Sequence, residues 1–327
     1  MSATLLIIYH ADCLDGFAAA WAAHRRLGDA ADFLPLHHGE AWDRTLAAGR
    51  QLYILDFSFP PEQLRALARL ASNVVQLDHH ASARDPWAAV LQPGGDDLEK
   101  YQDPELPLTV CFAARQSGAR LAWTHFHPEQ PLPLLLQHIE DVDLWRFALP
   151  DSRAIQRSLR LQAFDFTAWD KLVDTANDRI APVYQKLLTQ GEAIEAFFRC
   201  EIERLAGSRL VGSARLRGEP TDPLQALRHG QISLTDGERS WQIVDGVAIN
   251  CDALFASELG NELALRHQCP VLIWQLASDR TVRASLRSVG ACDVARIAGR
   301  YGGGGHRNAA GFRLPAQQFF SEVLGLI

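Results

Sequence analysis

The sequence predicts an α/β protein of two domains, a parallel-sheet domain joined by a helical connector to a smaller α/β C-terminal domain. Its 327 residues are enough for two cores at about 150 residues per domain. The first 80 residues alternate short β-branched or leucine-rich runs with helical stretches, the pattern of βαβ units. Past a long helical stretch ending near residue 206, composition shifts to turn signals between apolar runs. The expected divisions are residues 1–180, a connecting helix within 181–210, and 211–327.

Residues 4–9 read as the first strand. Residues 15–26 are alanine-rich and read as a helix, with Gly28 as its stop. Residues 32–36 and 51–55 are the next strands. Pro61 suits the first turn of a helix, and Leu64, Leu67, Ala68 and Ala71 share one face of it. A strand over 73–77 follows. Residues 92–107, rich in Gly, Pro and Asp, read as a loop. Helical material flanks the break at 128–133, and residues 182–206 carry the strongest downstream helical period. In the second domain, residues 218–223 read as a turn, and Asp236-Gly237 and Asp245-Gly246 as hairpin turns. Strands over 271–277 and 281–288 enclose Ser278-Asp279, and a short helix from Cys292 leads to a glycine run.

Composition narrows the function. Hydrophobic residues are 47% and charged residues 22%, which excludes a disordered or fibrous chain. No apolar run is long enough to span a bilayer, so no membrane partner is expected. The first nine residues lack the basic start and cleavage site of a signal peptide, so a cytoplasmic location is expected. A formal net charge of −7 argues against long duplex DNA as a partner, because that affinity comes from neutralising phosphates. Small or single-stranded phosphorylated ligands remain compatible. The six cysteines form no CxxC pair and read as reduced thiols.

Three expected strands end at acidic or imidazole side chains: His10, Asp12 and Asp15; Asp56; and Asp78-His79-His80. Open α/β sheets place ligand sites at the carboxyl ends of strands, so these groups would gather at one edge. The segment 140–145 adds more carboxylate. A lone Asp at a strand end is usually a helix cap or a surface residue. Three consecutive strands ending this way are harder to assign to accident. Clustered carboxylates repel one another unless a cation compensates them, and this oxygen and nitrogen set suits two divalent metal ions, manganese or similar.

The run Gln76-Leu77-Asp78-His79-His80, with His10-Ala11-Asp12-Cys13-Leu14-Asp15-Gly16 and Asp56, resembles the DHH phosphoesterases. The segment Tyr301-Gly302-Gly303-Gly304-Gly305-His306-Arg307-Asn308-Ala309-Ala310-Gly311-Phe312 resembles the signature of their DHH-associated C-terminal domain. The resemblance implies that His10 and Asp12 bind one metal, Asp15 and His79 the other, and that Asp56 bridges them. It further implies that Asp141 completes the second site, that His80 lies near the transferred phosphate, and that Asp78 orients an imidazole. Many members space the first motif as His-x-x-x-Asp-x-Asp, whereas here the aspartates fall two and five residues after His10, leaving Asp12 and Asp15 as alternatives. Asp143 is likewise a rival to Asp141.

In the second domain, Gly303, Gly304 and Gly305 let backbone N–H groups approach an anion, with His306 and Asn308 beside them. Arg283 and Arg287, four apart on one strand, share a face from which they can grip phosphate. Trp145 and Phe147 read as core residues with base stacking as the alternative, and His37-His38 as a surface loop. The expected activity is hydrolysis of phosphodiester bonds in a short oligonucleotide or dinucleotide to mononucleotides. The alternatives are a polyphosphate or pyrophosphate hydrolase and a non-catalytic nucleotide sensor. A homodimer is compatible with the sequence.

Overall fold

The computed structural model describes residues 4–208, 211–228, 233–237 and 239–326. The signal-peptide reading of the amino terminus falls partly on residues 1–3, which lie outside the described residues. The chain divides into two compact units, Met1–Ala196 and Phe197–Ile327.

The first unit is built on a seven-stranded sheet ordered β2-β1-β3-β4-β7-β6-β5. Its elements are β1 (Leu5–His10), α1 (Leu14–Leu27), β2 (Ala31–Leu36), β3 (Gln51–Leu55), α2 (Pro61–Leu70), β4 (Asn73–Asp78), α3 (Ala81–Arg84), β5 (Gln92–Gly95), β6 (Leu98–Gln102) and β7 (Leu108–Phe112). Strands β2, β1, β3, β4 and β7 run parallel, as the alternation predicts. Both sheet faces are covered, so these strands are apolar on both sides. Ile7, Val75 and Leu77 face the core that contains α1, while Leu6, Ile8, Leu52 and Ile54 face the one that contains α2. Because β1 is followed by β2 on one side and β3 on the other, a crevice opens at the carboxyl ends of β1 and β3.

Of the expected loop over 92–107, residues 103–107 are irregular, but residues 92–102 form the edge hairpin β5–β6. Asp96 and Asp97 at its tip have φ of +49° and +66°, the left-handed pair that closes a tight two-residue hairpin. Pro93 is tolerated because β5 is an edge strand. Composition signals a loop here because an edge hairpin uses the same residues.

Helices α4 (Gly118–Phe126), α5 (Leu134–Asp143), α6 (Ser152–Leu159), α7 (Phe166–Thr175) and α8 (Pro182–Ala206) complete the first unit. Helix α8 crosses the boundary between units: Tyr184 and Leu187 are buried in the first unit's core, Ile202 and Leu205 in the second's.

The second unit contains β8 (Gly212–Pro220), α9 (Pro223–Arg228), β9 (Ser233–Asp236), β10 (Arg239–Asn250), α10 (Ala256–His267), β11 (Val271–Leu276), β12 (Thr281–Arg287), α11 (Val294–Gly299), β13 (Gly304–His306) and β14 (Ala309–Pro315). Its sheet runs β13-β14-β12-β11-β10-β8, with β9 pairing β10. Asp236-Gly237 lies between β9 and β10 as expected, but Asp245-Gly246 is not a turn. It sits inside β10, where a Cβ at Gly246 would fall 2.5 Å from the Pro270 carbonyl oxygen. The glycine is there for close backbone approach. Residues 218–220 are likewise the end of β8, an edge strand that accommodates Pro220.

Candidate metal centre

Strands β1, β3 and β4 lie side by side, and their carboxyl ends deliver His10, Asp56 and Asp78 in a row. Asp56 has φ of +50°, a left-handed conformation that Asp tolerates better than most residues. It stands between two imidazoles with one oxygen toward each: Oδ1 is 3.1 Å from His79 Nε2, and Oδ2 is 3.6 Å from His10 Nδ1.

His79 Nε2 faces two further carboxylates, Asp15 Oδ2 at 3.7 Å and Asp143 Oδ2 at 3.6 Å. Asp15 and Asp56 are buried, and Asp143 is the more accessible member, its side chain 26% exposed. Asp15 comes from the first turn of α1 and is aimed by the N-terminus of α4. Its oxygens accept the Gly118 N–H at 2.6 Å and the Ala119 N–H at 3.0 Å. Those donors lack partners within their own helix, so an acid is favoured there.

Charge balance follows from this packing. Burial raises the Asp15 carboxyl well above the usual carboxylate range, and the Asp143 and Asp56 charges add to the effect against His79. Asp143 is raised as well, by burial and then Asp56, again opposed by His79. Burial also works against Asp56, yet the His10 and His79 imidazoles outweigh it and hold that carboxyl below the ordinary range. For His79, burial is outweighed by Asp56, Asp143 and Asp15, which raise it well above the usual imidazole value. Three carboxylates around one imidazole leave a negative excess.

A divalent cation fits that excess. His10 Nδ1 is buried without a hydrogen-bond partner among the described residues, and it points toward Asp56. Carboxylate oxygen and imidazole nitrogen together suit a divalent metal ion. Cys13 lies with His10 and Asp56, but burial and the Asp56, Asp143 and Asp15 charges push its thiol well up, which disfavours the thiolate a metal would need.

Asp78 Oδ1 accepts the His79 N–H at 2.7 Å and pairs with His80 Nδ1 at 2.7 Å, while Oδ2 accepts the Ser58 hydroxyl. Burial is outweighed by the His80 charge and hydrogen bond, so Asp78 is held down to about 2. His80 is correspondingly carried up to about 9 against burial. The expected orienting carboxylate is therefore in contact with the expected phosphate-side imidazole.

Two expected ligands lie elsewhere. Asp12 has a left-handed backbone, its side chain is 86% exposed, and its Oδ2 lies 3.4 Å from His37 Nε2. Asp141 is buried, but its two oxygens accept the N–H groups of Ala148 at 2.8 Å and Leu149 at 3.1 Å. The acid that α5 sends to His79 is Asp143, not Asp141.

Several participants carried no clear sequence signal. Backbone groups of Gly118 and Ala119 are invisible to residue type, although Ser117, whose Oγ accepts the Arg120 N–H at 3.3 Å, is a recognisable helix cap. Ser58 had no motif. His38 lies on an exposed loop as expected, yet its ring is 5.0 Å from that of His10 and stacks on Phe57 at 4.6 Å. Burial and then the His10 and His80 charges push its pKa down to about 4.

Residues 251–327 match the DHHA1 domain. The chain carries a DHHA1 domain. This agrees with the resemblance of the glycine-rich segment to the DHH-associated signature. An uncharacterized protein, R106, of Acanthamoeba polyphaga mimivirus is 23% identical over 94% of this chain and 66% of its own length, so the chain spans just under two thirds of that relative. Among solved structures, an uncharacterized protein from Helicobacter pylori G27 is similar with a TM-score of 0.39, at 11% identity over 95% of this chain and 93% of that one. A pGpG-specific phosphodiesterase, PggH, from Vibrio cholerae is similar with a TM-score of 0.42, at 11% identity over 96% and 94%.

Within the DHHA1 domain, Arg283 and Arg287 project from the face of β12 opposite Val282, Ala284 and Leu286, as their spacing predicts. Arg283 is exposed. Arg287 is not an open guanidinium fork: it donates to Ser257 Oγ at 2.9 Å and to the Leu286 carbonyl at 2.8 Å, bracing α10. Asn308 Nδ2 donates to the Ser288 carbonyl at 3.0 Å and so closes its own loop. Gly303 packs against the Gly311 backbone, and Gly304, Gly305 and His306 form β13. All six cysteines are free, and no helix among the described residues is long and apolar enough to cross a membrane.

Proposed function

We propose that the protein is a metal-dependent phosphoesterase that hydrolyses phosphodiester bonds of short oligonucleotides or dinucleotides to mononucleotides. The convergence of Asp15, Asp56 and Asp143 on His79 Nε2 carries this reading. With His10, these residues would hold two divalent ions, manganese being the best match to the donor set, and Asp56 has an oxygen toward each imidazole. Ions bound there would clamp the phosphoryl group and acidify the attacking water.

The chain's own groups supply the rest. His80 is the side chain assigned to the phosphoryl group, and Asp78 is a positioning residue that fixes its ring through the Nδ1 contact. Asp15 is held in place by two backbone N–H groups, so the carboxylate is set before any ion arrives. From the DHHA1 domain, Arg283, the glycine run 303–305 and His306 are the assigned substrate contacts, whereas Arg287 is tied to Ser257 of α10 and Asn308 to the Ser288 carbonyl.

Calorimetric titration with manganese, paired with release of AMP from pApA, tests the reading. Wild-type protein binds manganese and releases AMP. Asp56→Ala lowers turnover by more than about 100-fold, since even groups that only orient metal ligands are worth about 10- to 100-fold. Binding of pApA without release of AMP supports a nucleotide sensor instead, and unchanged turnover in Asp56→Ala removes the metal assignment.

A further inference from the structure

We propose that Trp145 is a stacking platform for a nucleobase of the substrate, braced by Phe147 and served by Arg153. The proposal deepens the phosphoesterase reading and rests on it for the ligand: it commits the site to nucleotides rather than to bare phosphate chains.

The first observation is exposure. Trp145 is 40% exposed, so it is not the core residue that burial statistics favour. The second is backbone strain. Trp145 and Phe147 have φ of +56° and +50°, a region that bulky side chains rarely adopt and that costs about 1–3 kcal/mol per residue. The loop is over-determined to hold them there. The Trp145 N–H donates to the Val142 carbonyl at 2.9 Å, and the N–H groups of Arg146 and Phe147 donate to the Asp141 carbonyl at 2.8 and 3.3 Å. The Asp141 carboxylate then takes the next two N–H groups. Arg146, between the two rings, turns to Glu140 Oε1 at 3.0 Å.

The third observation is what surrounds the indole. Phe147 meets it edge to face with centroids 4.8 Å apart. Arg153 lies 3.5 Å over the Phe147 ring and 5.7 Å from the Trp145 ring, and it makes no ion pair among the described residues. A cation without a carboxylate partner, lying on aromatic faces, provides both a stacking surface and a counter-charge for phosphate. The fourth is position. Trp145 is two residues past Asp143, at most about 7 Å along the chain from an acid that faces His79. A nucleotide has a similar arrangement, with its planar base a short sugar away from its phosphate. A polyphosphate has no group that would use an indole.

The experiment uses the full chain with manganese and two substrates: pApA, and a 5′-phosphorylated abasic dimer with tetrahydrofuran in place of each nucleoside. For wild type, the KM for pApA is expected to be about tenfold below that for the abasic dimer, the scale of one base–aromatic stack. Trp145→Ala removes this preference by raising the KM for pApA, and Trp145→Phe, which keeps a π face, restores most of it. Equilibrium dialysis with AMP provides a reading independent of turnover, with about tenfold weaker binding expected for Trp145→Ala.

The outcomes separate the two claims. Cleavage of both dimers with equal KM, or an equal rise in both KM values in Trp145→Ala, overturns the platform and leaves the phosphoesterase standing. Trp145-dependent AMP binding without cleavage of pApA keeps the platform and overturns the phosphoesterase. Neither AMP binding nor cleavage by wild type overturns both.

Discussion

Gly118 is a position where a single added methyl group should damage the site. An ideal Cβ there would lie 2.4 Å from the Asp56 Cβ and 2.8 Å from Asp56 Oδ1, whereas ordinary contact begins about 1 Å further out. Asp56 cannot swing away freely, because it is 1% exposed and held at φ of +50°. If Asp56 moves, Oδ1 leaves its 3.1 Å approach to His79 Nε2. If α4 moves instead, the N–H groups of Gly118 and Ala119 withdraw from Asp15. Either displacement misplaces an assigned metal ligand. Gly118→Ala should therefore lower kcat for pApA by about 100-fold, the scale of a misplacement of about 1 Å, while overpacking costs about 1–3 kcal/mol of stability. Manganese affinity, initial rates and urea unfolding measure the three effects. Gly299→Ala is the control, since a Cβ there meets nothing within 4 Å. A Gly118→Ala protein with wild-type rate and manganese affinity would refute the reasoning.

The exchange of roles between Asp141 and Asp143 gives a paired prediction: Asp143→Asn weakens manganese binding in calorimetry, whereas Asp141→Asn spares it and lowers stability by about 1–3 kcal/mol by weakening the bonds to Ala148 and Leu149. His138 predicts an acid-sensitive contribution in the first unit. It is buried between Ser152 Oγ and the Tyr184 hydroxyl, each at 2.9 Å, and burial pushes its pKa down to about 4. Its folded-state pKa lies below the unfolded value, so the unfolded chain takes up the proton first. This contribution is intact above about pH 6.5 and declines as the pH falls toward 4, with about 2 kcal/mol lost by pH 5. His138→Asn should flatten that part of the unfolding free-energy profile, and an unchanged slope would contradict the assignment.

The sequence revealed most of the candidate cluster where side-chain type and strand ends coincide. His10, Asp56 and Asp78-His79-His80 close three short apolar runs, and the strand order then sets them side by side. It revealed less where placement depends on helix phase. Asp141 and Asp143 are two residues apart on α5, about 200° around its axis, so only one can face His79. Which one it is follows from how α5 packs, and packing is not written in the motif. Backbone participants were invisible for a simpler reason: the N–H groups of Gly118 and Ala119 act on Asp15 without any chemistry of their own side chains. The hairpin β5–β6 and the glycine inside β10 resemble loops and turns in sequence because turn-forming residues also serve edge strands and close backbone approaches.

The two acids of α5 show how one short segment can serve two purposes. Asp143 ends the helix with its carboxylate toward His79, while Asp141 turns both oxygens and its carbonyl to the loop that follows. The loop cannot relax from its left-handed conformations without giving up the bonds that Asp141 receives. Separating the roles by two residues would let the same helix end anchor the proposed ion and hold an exposed indole beside it. The metal centre and the aromatic platform should therefore be separable by mutation: replacing Asp141 disturbs the platform first, and replacing Asp143 disturbs the ion.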